Sequence, residues 1–381
     1  CEHKCIYCDF YSVAPARQSR SGVPTGSAES YAVLIDRFLR ALEREIELRA
    51  QDERFRVSYE TIFFGGGTPS LLTPSDIEKI LNLLARHFTL EENAEITLET
   101  NPGTVDRDKL RAFRAAGINR LSIGIQSFHE DDLRFLSRIH SAQQAKDCVR
   151  EASSAGFENV SLDLIFSLPS QTLERWQSNL QQAVELEPKH LSTYSLIVEP
   201  NTPLQRMVQT KQVTPLSPEA DADLYEYTID FLNARGYAQY EVSNFARPGF
   251  KSRHNSNYWN HQNYLGFGPS AHSFWNARRW WSVANVVEYA TRLERSIVPE
   301  AGEEELSLEQ LRDEEIFLGL RSEGIDVAGF CKRYRTNLLE EYKQTIDRLV
   351  HAQLAKVDQN HFRLTSKGYL LCDEICFSFL S

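Results

Sequence analysis

Residues 58–88 read SYETIFFGGGTPSLLTPSDIEKILNLLARHF. An apolar run, SYETIFF, ends in three glycines, which predicts a buried parallel strand. Thr73 then stands as an N-cap with Pro74 at the first helical position, and an apolar stripe of 3.6-residue period follows. Strand, glycine-rich turn and helix form a unit, and the unit recurs. AEITLET (94–100), INRLSIGIQ (118–126), NVSLDLIFS (159–167) and HLSTYSLIV (190–198) read as further strands. DRDKLRAFRAAG (106–117), SAQQAKDCVREASSAG (141–156) and TLERWQSNLQQAVEL (172–186) read as the helices between them. Five strands alternating with helices imply an α/β fold with a parallel sheet and right-handed crossovers, curling into a full or partial (β/α) barrel.

Barrels of this kind place their chemistry at the C-terminal ends of the strands. Those ends carry Gly65-Gly66-Gly67-Thr68-Pro69, Glu99-Thr100-Asn101-Pro102, Gln126-Ser127 and Asp163. Polar loops are ordinary, and any one of these needs no further explanation. Four in register point to a site.

After residue 200 the alternation stops. A helix at 217–236 leads to a strand, YAQYEVSNFA (237–246), and then to a stretch at 247–281 rich in Asn, aromatics and His with no regular period. Long patternless segments of this composition are usually functional. From about 300 come an acidic amphipathic helix, a second helical stretch at 337–357, a short strand and an N-capped helix, a winged-helix-like pattern. The expected domains are 1–200, 201–299 and 300–381. Residues 15–28 read as a mobile surface loop.

The chain has 381 residues, a formal net charge of −11, 41% hydrophobic and 25% charged residues. The anionic balance speaks against nucleic acid or an anionic membrane as main partner, and against a DNA-binding role for the winged-helix pattern. No apolar run approaches a membrane span. The chain starts at a cysteine, so it reads as a segment of a longer protein with any targeting signal upstream. A cytoplasmic location is expected. Seven cysteines, an odd and unevenly clustered set, suit a reducing compartment. Cys148, Cys372 and Cys376 read as core residues.

The remaining cluster is CEHKCIYCDF (1–10), with Cys1, Cys5 and Cys8 spaced C-x3-C-x2-C. Three thiolates fall one short of a structural zinc site, unless His3 joins them. They also fall one short of the usual complement of a cubane iron–sulfur cluster, which leaves one iron open. Spacing favours the cluster modestly.

With Tyr7 before its last cysteine, this run resembles the radical S-adenosylmethionine (SAM) superfamily. GGGTPS (65–70) resembles the glycine motif that receives the amino end of SAM. LETNPGT (98–104), IGIQSF (123–128), LSRIH (136–140) and LDLIFSLPSQT (162–172) resemble segments of the oxygen-independent coproporphyrinogen oxidase group. The resemblance implies a partial radical-SAM barrel with a [4Fe–4S] cluster held by Cys1, Cys5 and Cys8, and SAM on the fourth iron. Tyr7 would lie near the adenine. Gly66, Gly67 and Thr68 would take the methionine amino group through their backbone, and Glu99 would accept from the ribose hydroxyls. Gln126, Arg138 and Asp163 would complete the pocket, with Arg138 facing the SAM carboxylate. Read without the resemblance, Glu99 and Asp163 are strand-end carboxylates in need of a partner, and Arg138 is a helix-surface charge.

Two features choose within the group. The oxidases extend the cysteine run by C-x-C, where this chain has Phe10. HNSNYW (254–259) resembles the H-N-x-x-Y-W motif of the haem-chaperone branch, the HemW family, and CDFYS (8–12), GFGPSAHS (266–273) and LGLRSEGID (318–326) agree with it. The implied function is haem binding and transfer to acceptor haemoproteins, membrane-associated ones among them. The alternative is an oxygen-independent coproporphyrinogen III oxidase. On spacing alone His254 is a structural histidine; the motif makes it a haem contact. His140, His261 and His272 rank behind it, and Arg253, Arg278 and Arg279 are candidates for the propionates. A homodimer is a further expectation.

Overall fold

The computed structural model describes residues 1–14, 31–358 and 360–379, so the loop expected at 15–28 lies outside the described residues. After α1 (Tyr31–Arg49) the recurring unit runs as expected. It comprises β1 (Ser58–Phe64), α2 (Pro74–His87), β2 (Thr89–Thr100), α3 (Arg107–Ala115), β3 (Arg120–Gln126), α4 (Glu130–Phe135), α5 (Ala142–Ser154), β4 (Asn159–Phe166), α6 (Leu173–Glu185) and β5 (His190–Ser195). Thr73 caps α2 reciprocally with Asp76, and Ser141 caps α5 with Gln144. After α7 (Pro203–Gln209) and α8 (Pro218–Asn233), two short strands close the sheet, β6 (Ala238–Gln239) and β7 (Asn244–Ala246). The sheet order is β1-β2-β3-β4-β5-β7-β6. The first five strands are parallel, whereas β7 is antiparallel to β5 and β6 to β7. The strand expected at 237–246 is thus a hairpin, bent where Glu241 accepts from the Ser243 amide.

SYETIFF reads as a continuous apolar run, yet the sheet is apolar on one face only. Ile62 and Phe64, Ile96 and Leu98, Leu121 and Ile123, and Leu162 and Leu164 pack outward onto the helices in the main core. The intervening residues pair across the inner face. Phe63 stands opposite Thr97, and Thr97 opposite Arg120; Glu99 faces Ser122; Gly124 faces Asp163, and Asp163 faces Ser192. Because side chains alternate along a strand, one register fixes a whole polar lumen. Arg120 is 2% exposed and has no ion pair or hydrogen bond from its guanidinium among the described residues.

The stretch at 247–281 is regular after all. It holds a helix, α9 (Arg253–Trp259), and a hairpin of β8 (His272–Trp275) and β9 (Arg278–Ser282). Asn276 and Ala277 turn that hairpin at φ +49° and +71°. A turn with both central residues at positive φ usually carries glycine, and its absence hides the hairpin in the sequence. α10 (Val286–Glu294) and β10 (Glu300–Glu305) follow, and the sheet order is β10-β9-β8. Trp275 and Trp280 pack there with Phe55 and with Leu42 and Ile46 of α1.

The remaining elements are α11 (Leu308–Leu320), β11 (Ile325–Asp326), α12 (Val327–Tyr334), α13 (Leu338–Glu341), α14 (Lys343–His351), β12 (Ala355–Val357), β13 (His361–Leu364), α15 (Ser366–Tyr369) and α16 (Cys372–Phe377). Their three strands run β11-β13-β12 beside the helices. Cys372 and Cys376 belong to the core of this part and Cys148 to that of the barrel.

Candidate functional site: the cysteine loop and the strand ends

The cysteine loop is pinned at its middle. The Ile6 amide donates to Ser137 Oγ at 3.1 Å, and the Ile6 carbonyl accepts from the Leu204 amide at 3.0 Å. Tyr7 sits in an apolar pocket with Leu136, Ile165 and Leu168. Burial raises its phenol well above the ordinary value, so it stays un-ionised beside Arg138.

One hydrogen-bonded chain joins the loop to three strand ends. Thr68 Oγ1 donates to Cys1 Sγ at 3.2 Å and accepts from Asn101 Nδ2 at 3.2 Å. Asn101 Oδ1 accepts from Arg138 Nη2 at 2.5 Å. The same nitrogen donates to the Gly124 carbonyl at 2.7 Å, while Arg138 Nη1 points at Cys5 Sγ from 3.7 Å. Arg138 is therefore no helix-surface charge. It stands after α4, in a tight loop where Ser137 adopts φ +55°. Asn101 is the hub of this chain and was not singled out from the sequence. Its signal was its position, one residue past the end of β2.

Gly66 has φ +95°, a conformation that L side chains rarely adopt, and its amide donates to Glu99 Oε2 at 3.1 Å. Gly67 lies where a Cβ would come 3.9 Å from Cys1 Sγ, which is ordinary contact. Gly124 is tighter: a Cβ there would lie 2.9 Å from both Asn101 Oδ1 and Gln126 Nε2. Gln126 itself turns off the strand at φ +70°.

Burial, reinforced by the Asp163 carboxylate, pushes Glu99 up to about 8. Burial also pushes Asp163 up to about 6, against hydrogen bonds from the Ser122 and Ser192 hydroxyls. Both acids hold protons more tightly folded than unfolded. Their contribution to stability is greatest at low pH and is lost as pH rises through about 6 and about 8. A lumen of this kind favours a cationic ligand.

α9 lies against the inner face of β1. Glu95 caps it, accepting from the Arg253 and His254 amides at 3.2 and 3.1 Å. His254 stacks on Phe63 at 4.8 Å and 16°. Its Nδ1 lies 2.8 Å from Thr61 Oγ1 and its Nε2 2.8 Å from the Tyr258 hydroxyl, one as donor and one as acceptor. Burial, with the nearby Arg120 cation, lowers it to about 4 and keeps it neutral. The Phe63 ring in turn lies under Gly65, next to Glu99. The motif helix is thus in contact with the floor of the strand-end site.

The other candidates are engaged elsewhere. His140 Nε2 lies 3.1 Å from the Ile125 carbonyl, His261 pairs with Glu314 at 3.1 Å, and His272 stacks on Trp281. Arg253 pairs with Glu60 and Glu91, Arg278 with Glu300 and Glu303, and Arg279 with Glu304 and Glu314. The three guanidiniums considered for propionates already hold carboxylates.

Among the described residues no three His, Cys, Asp or Glu side chains lie close enough to hold a single metal ion. A cubane takes each thiolate at a different iron, and the Thr68 and Arg138 donors at Cys1 and Cys5 suit thiolate sulfur. The residues present fit an iron–sulfur cluster better than one zinc ion.

Residues 1–183 match the Radical SAM superfamily and residues 306–371 the HemN C-terminal domain. The fold is similar to that of coproporphyrinogen III oxidase (HemN) from Escherichia coli, with a TM-score of 0.81 over all of this chain and 87% of that one. At 24% identity this likeness concerns the fold alone. The chain is 33% identical to the heme chaperone HemW of Bacillus subtilis over its whole length and 97% of that protein. It is 40% identical to the Escherichia coli HemW over 71% of its length and 67% of that protein. The fold is thus that of a radical SAM protein, and the chain belongs to the HemW family. That membership carries a [4Fe–4S] cluster and SAM with it. Among the described residues no helix is long and apolar enough to cross a membrane.

Proposed function

We propose that this protein is a haem chaperone, which binds haem and passes it to acceptor haemoproteins. The observation that carries the reading is α9. The HNSNYW segment is a helix held against β1, and its histidine reaches the SAM side of the barrel through Phe63 and Gly65. The HemW names of full-length relatives and Phe10 at the oxidase's fourth-cysteine position support it.

In this reading Cys1, Cys5 and Cys8 hold the [4Fe–4S] cluster, which anchors SAM and can supply it with an electron. Thr68 and Arg138 donate toward the sulfurs and fix the loop. Tyr7 flanks the adenine, and the backbone at Gly66, Gly67 and Thr68 takes the methionine amino group. Glu99 takes the ribose, Gln126 and Asp163 line the pocket, and Arg138 faces the SAM carboxylate. His254 is the haem contact of the motif, reached when Tyr258 releases Nε2.

Haem titration of the cluster-loaded protein under anaerobic conditions tests the reading. The parent chain is expected to show a shifted Soret band. His254→Ala is expected to weaken binding about tenfold. No Soret shift in the parent contradicts the chaperone reading, and an unchanged titration in His254→Ala contradicts the role of His254.

SAM carries a sulfonium and an ammonium, so seating it should ionise Glu99. About one proton is expected to leave Glu99 per SAM bound near pH 7, beyond any that the SAM ammonium gives up on meeting iron, and Glu99→Gln should remove that share of the release. Calorimetry in buffers of different ionisation enthalpy reads this directly. Binding heats that do not depend on the buffer would contradict it.

A further inference from the structure

The loops after β1 and β2 each bring one residue to the hydrogen-bonded chain at the cysteines, Thr68 and Asn101. The bond between these two is a single contact, Asn101 Nδ2 to Thr68 Oγ1 at 3.2 Å. A second tie joins the same loops a few residues on. Ser70 lies two residues past Thr68, in a turn of 3-10 helix (Pro69–Leu71), and is fully buried. The Thr104 hydroxyl donates to the Asn101 carbonyl at 2.7 Å, so its oxygen accepts from the Ser70 hydroxyl at 2.8 Å. The Thr104 amide donates to the same Asn101 carbonyl at 3.1 Å.

Lys109 closes this junction. Its Nζ donates to the Ser70 carbonyl at 2.6 Å and to the Thr104 carbonyl at 3.1 Å. One ammonium thus spans the two loops that carry Thr68 and Asn101. Its placement runs against local preference. Lys109 is the third residue of α3, at the end where a helix favours anions. Burial lowers the ammonium below the ordinary lysine value, against the Asp106 and Glu2 carboxylates. Glu2 belongs to the cysteine loop, so a third segment of the site lies within reach of this charge. A cation kept in place against both its helix end and its burial is kept there by tertiary contacts, and broken local rules of this kind concentrate at functional sites.

We infer that Lys109 is a positioning residue for SAM, whose ammonium fixes the glycine loop against Asn101 and so sets the cradle for the methionine end of the molecule. It acts through Ser70 and Thr104 and not by contact with SAM. The inference rests on the reading of the strand-end site as the SAM seat and adds what holds that seat in register.

Calorimetric titration of SAM into the full, anaerobically reconstituted chain tests it, with Lys109→Met and Lys109→Arg as variants. Methionine keeps an unbranched stem beside Phe113 and removes the ammonium. Lys109→Met is expected to keep the parent's iron, sulfide and thermal midpoint and to bind SAM about tenfold more weakly. Lys109→Arg, whose guanidinium can again serve two carbonyls, is expected to recover most of the affinity. The EPR spectrum of the reduced cluster gives a second reading. Without SAM, parent and Lys109→Met should share one spectrum, and the variant should need about tenfold more SAM to reach the parent's SAM-bound spectrum. Parent-like SAM affinity in Lys109→Met overturns this inference alone. Loss of iron in Lys109→Met also overturns it, since the residue would then support the cluster and not SAM. Equal loss of SAM affinity in Lys109→Met and Lys109→Arg overturns the role of the ammonium. A parent that binds no SAM overturns the reading of the strand-end site and this inference with it.

Discussion

Cys5→Ser is expected to leave the protein without a stable iron–sulfur cluster after anaerobic reconstitution. Cys5 is the middle of the three proposed ligands, in a loop with few other anchors. The Ile6 bonds to Ser137 and Leu204 hold its backbone, while Thr68 and Arg138 reach it only through sulfur. A serine oxygen is a harder and far more basic ligand than a thiolate, and two thiolates cannot hold a cubane against chelators. Iron and sulfide content should fall at least about tenfold, on the scale that lost ligand support costs a metal site. Because the ligands shape the loop, Tyr7 should also loosen from its pocket, and protease cleavage near the amino end should quicken. Cys148→Ala, in the barrel core, is the control and should keep full iron. Iron and sulfide at parent levels in Cys5→Ser would contradict the assignment.

Gly124→Ala is expected to produce the second large effect, without touching a cluster ligand. The added methyl would lie 2.9 Å from Asn101 Oδ1 and 2.9 Å from Gln126 Nε2, closer than real contacts allow. Asn101 and Gln126 must move away, and Asn101 takes with it the bonds that join Thr68 to Arg138. Hydrogen bonds to charged groups are worth about 1.5–3 kcal/mol, so SAM affinity should drop about ten- to a hundredfold. Cluster content should change little. Calorimetric titration of SAM into reconstituted parent and variant separates the two quantities, and parent-like SAM affinity in Gly124→Ala would remove the strand-end chain from the binding site.

The architecture was largely legible because it is written in local signals. The Thr73 and Ser141 caps, the glycine turns and the helical stripes each announce their element within a few residues. The polar lumen was legible too, but only the strand ends were read as polar. In RLSIGIQ, and in NVSLDLIF as far as Asp163, every second residue is polar or glycine, the mark of a sheet covered by helices on one face only. The β8–β9 hairpin stayed hidden because Asn276-Ala277 makes a glycine turn without glycine.

The site divides the same way. The cysteines, the glycines, Glu99 and Asp163 lie in contiguous motifs at strand ends. Arg138 looked ambiguous because its meaning comes from Asn101, Gly124 and Cys5, none of them near it in the chain. Arg278 and Arg279 looked free because their carboxylate partners lie on β10 and α11. Long-range pairing leaves no local trace, so it is where reading a single sequence stops.

The most direct measurement offers the reconstituted, reduced protein two tasks under anaerobic conditions: haem with an apo-haemoprotein as acceptor, and coproporphyrinogen III with SAM. The account predicts that haem appears in the acceptor and that coproporphyrinogen III is recovered unchanged. Formation of protoporphyrinogen, with no haem passed to the acceptor, would contradict it.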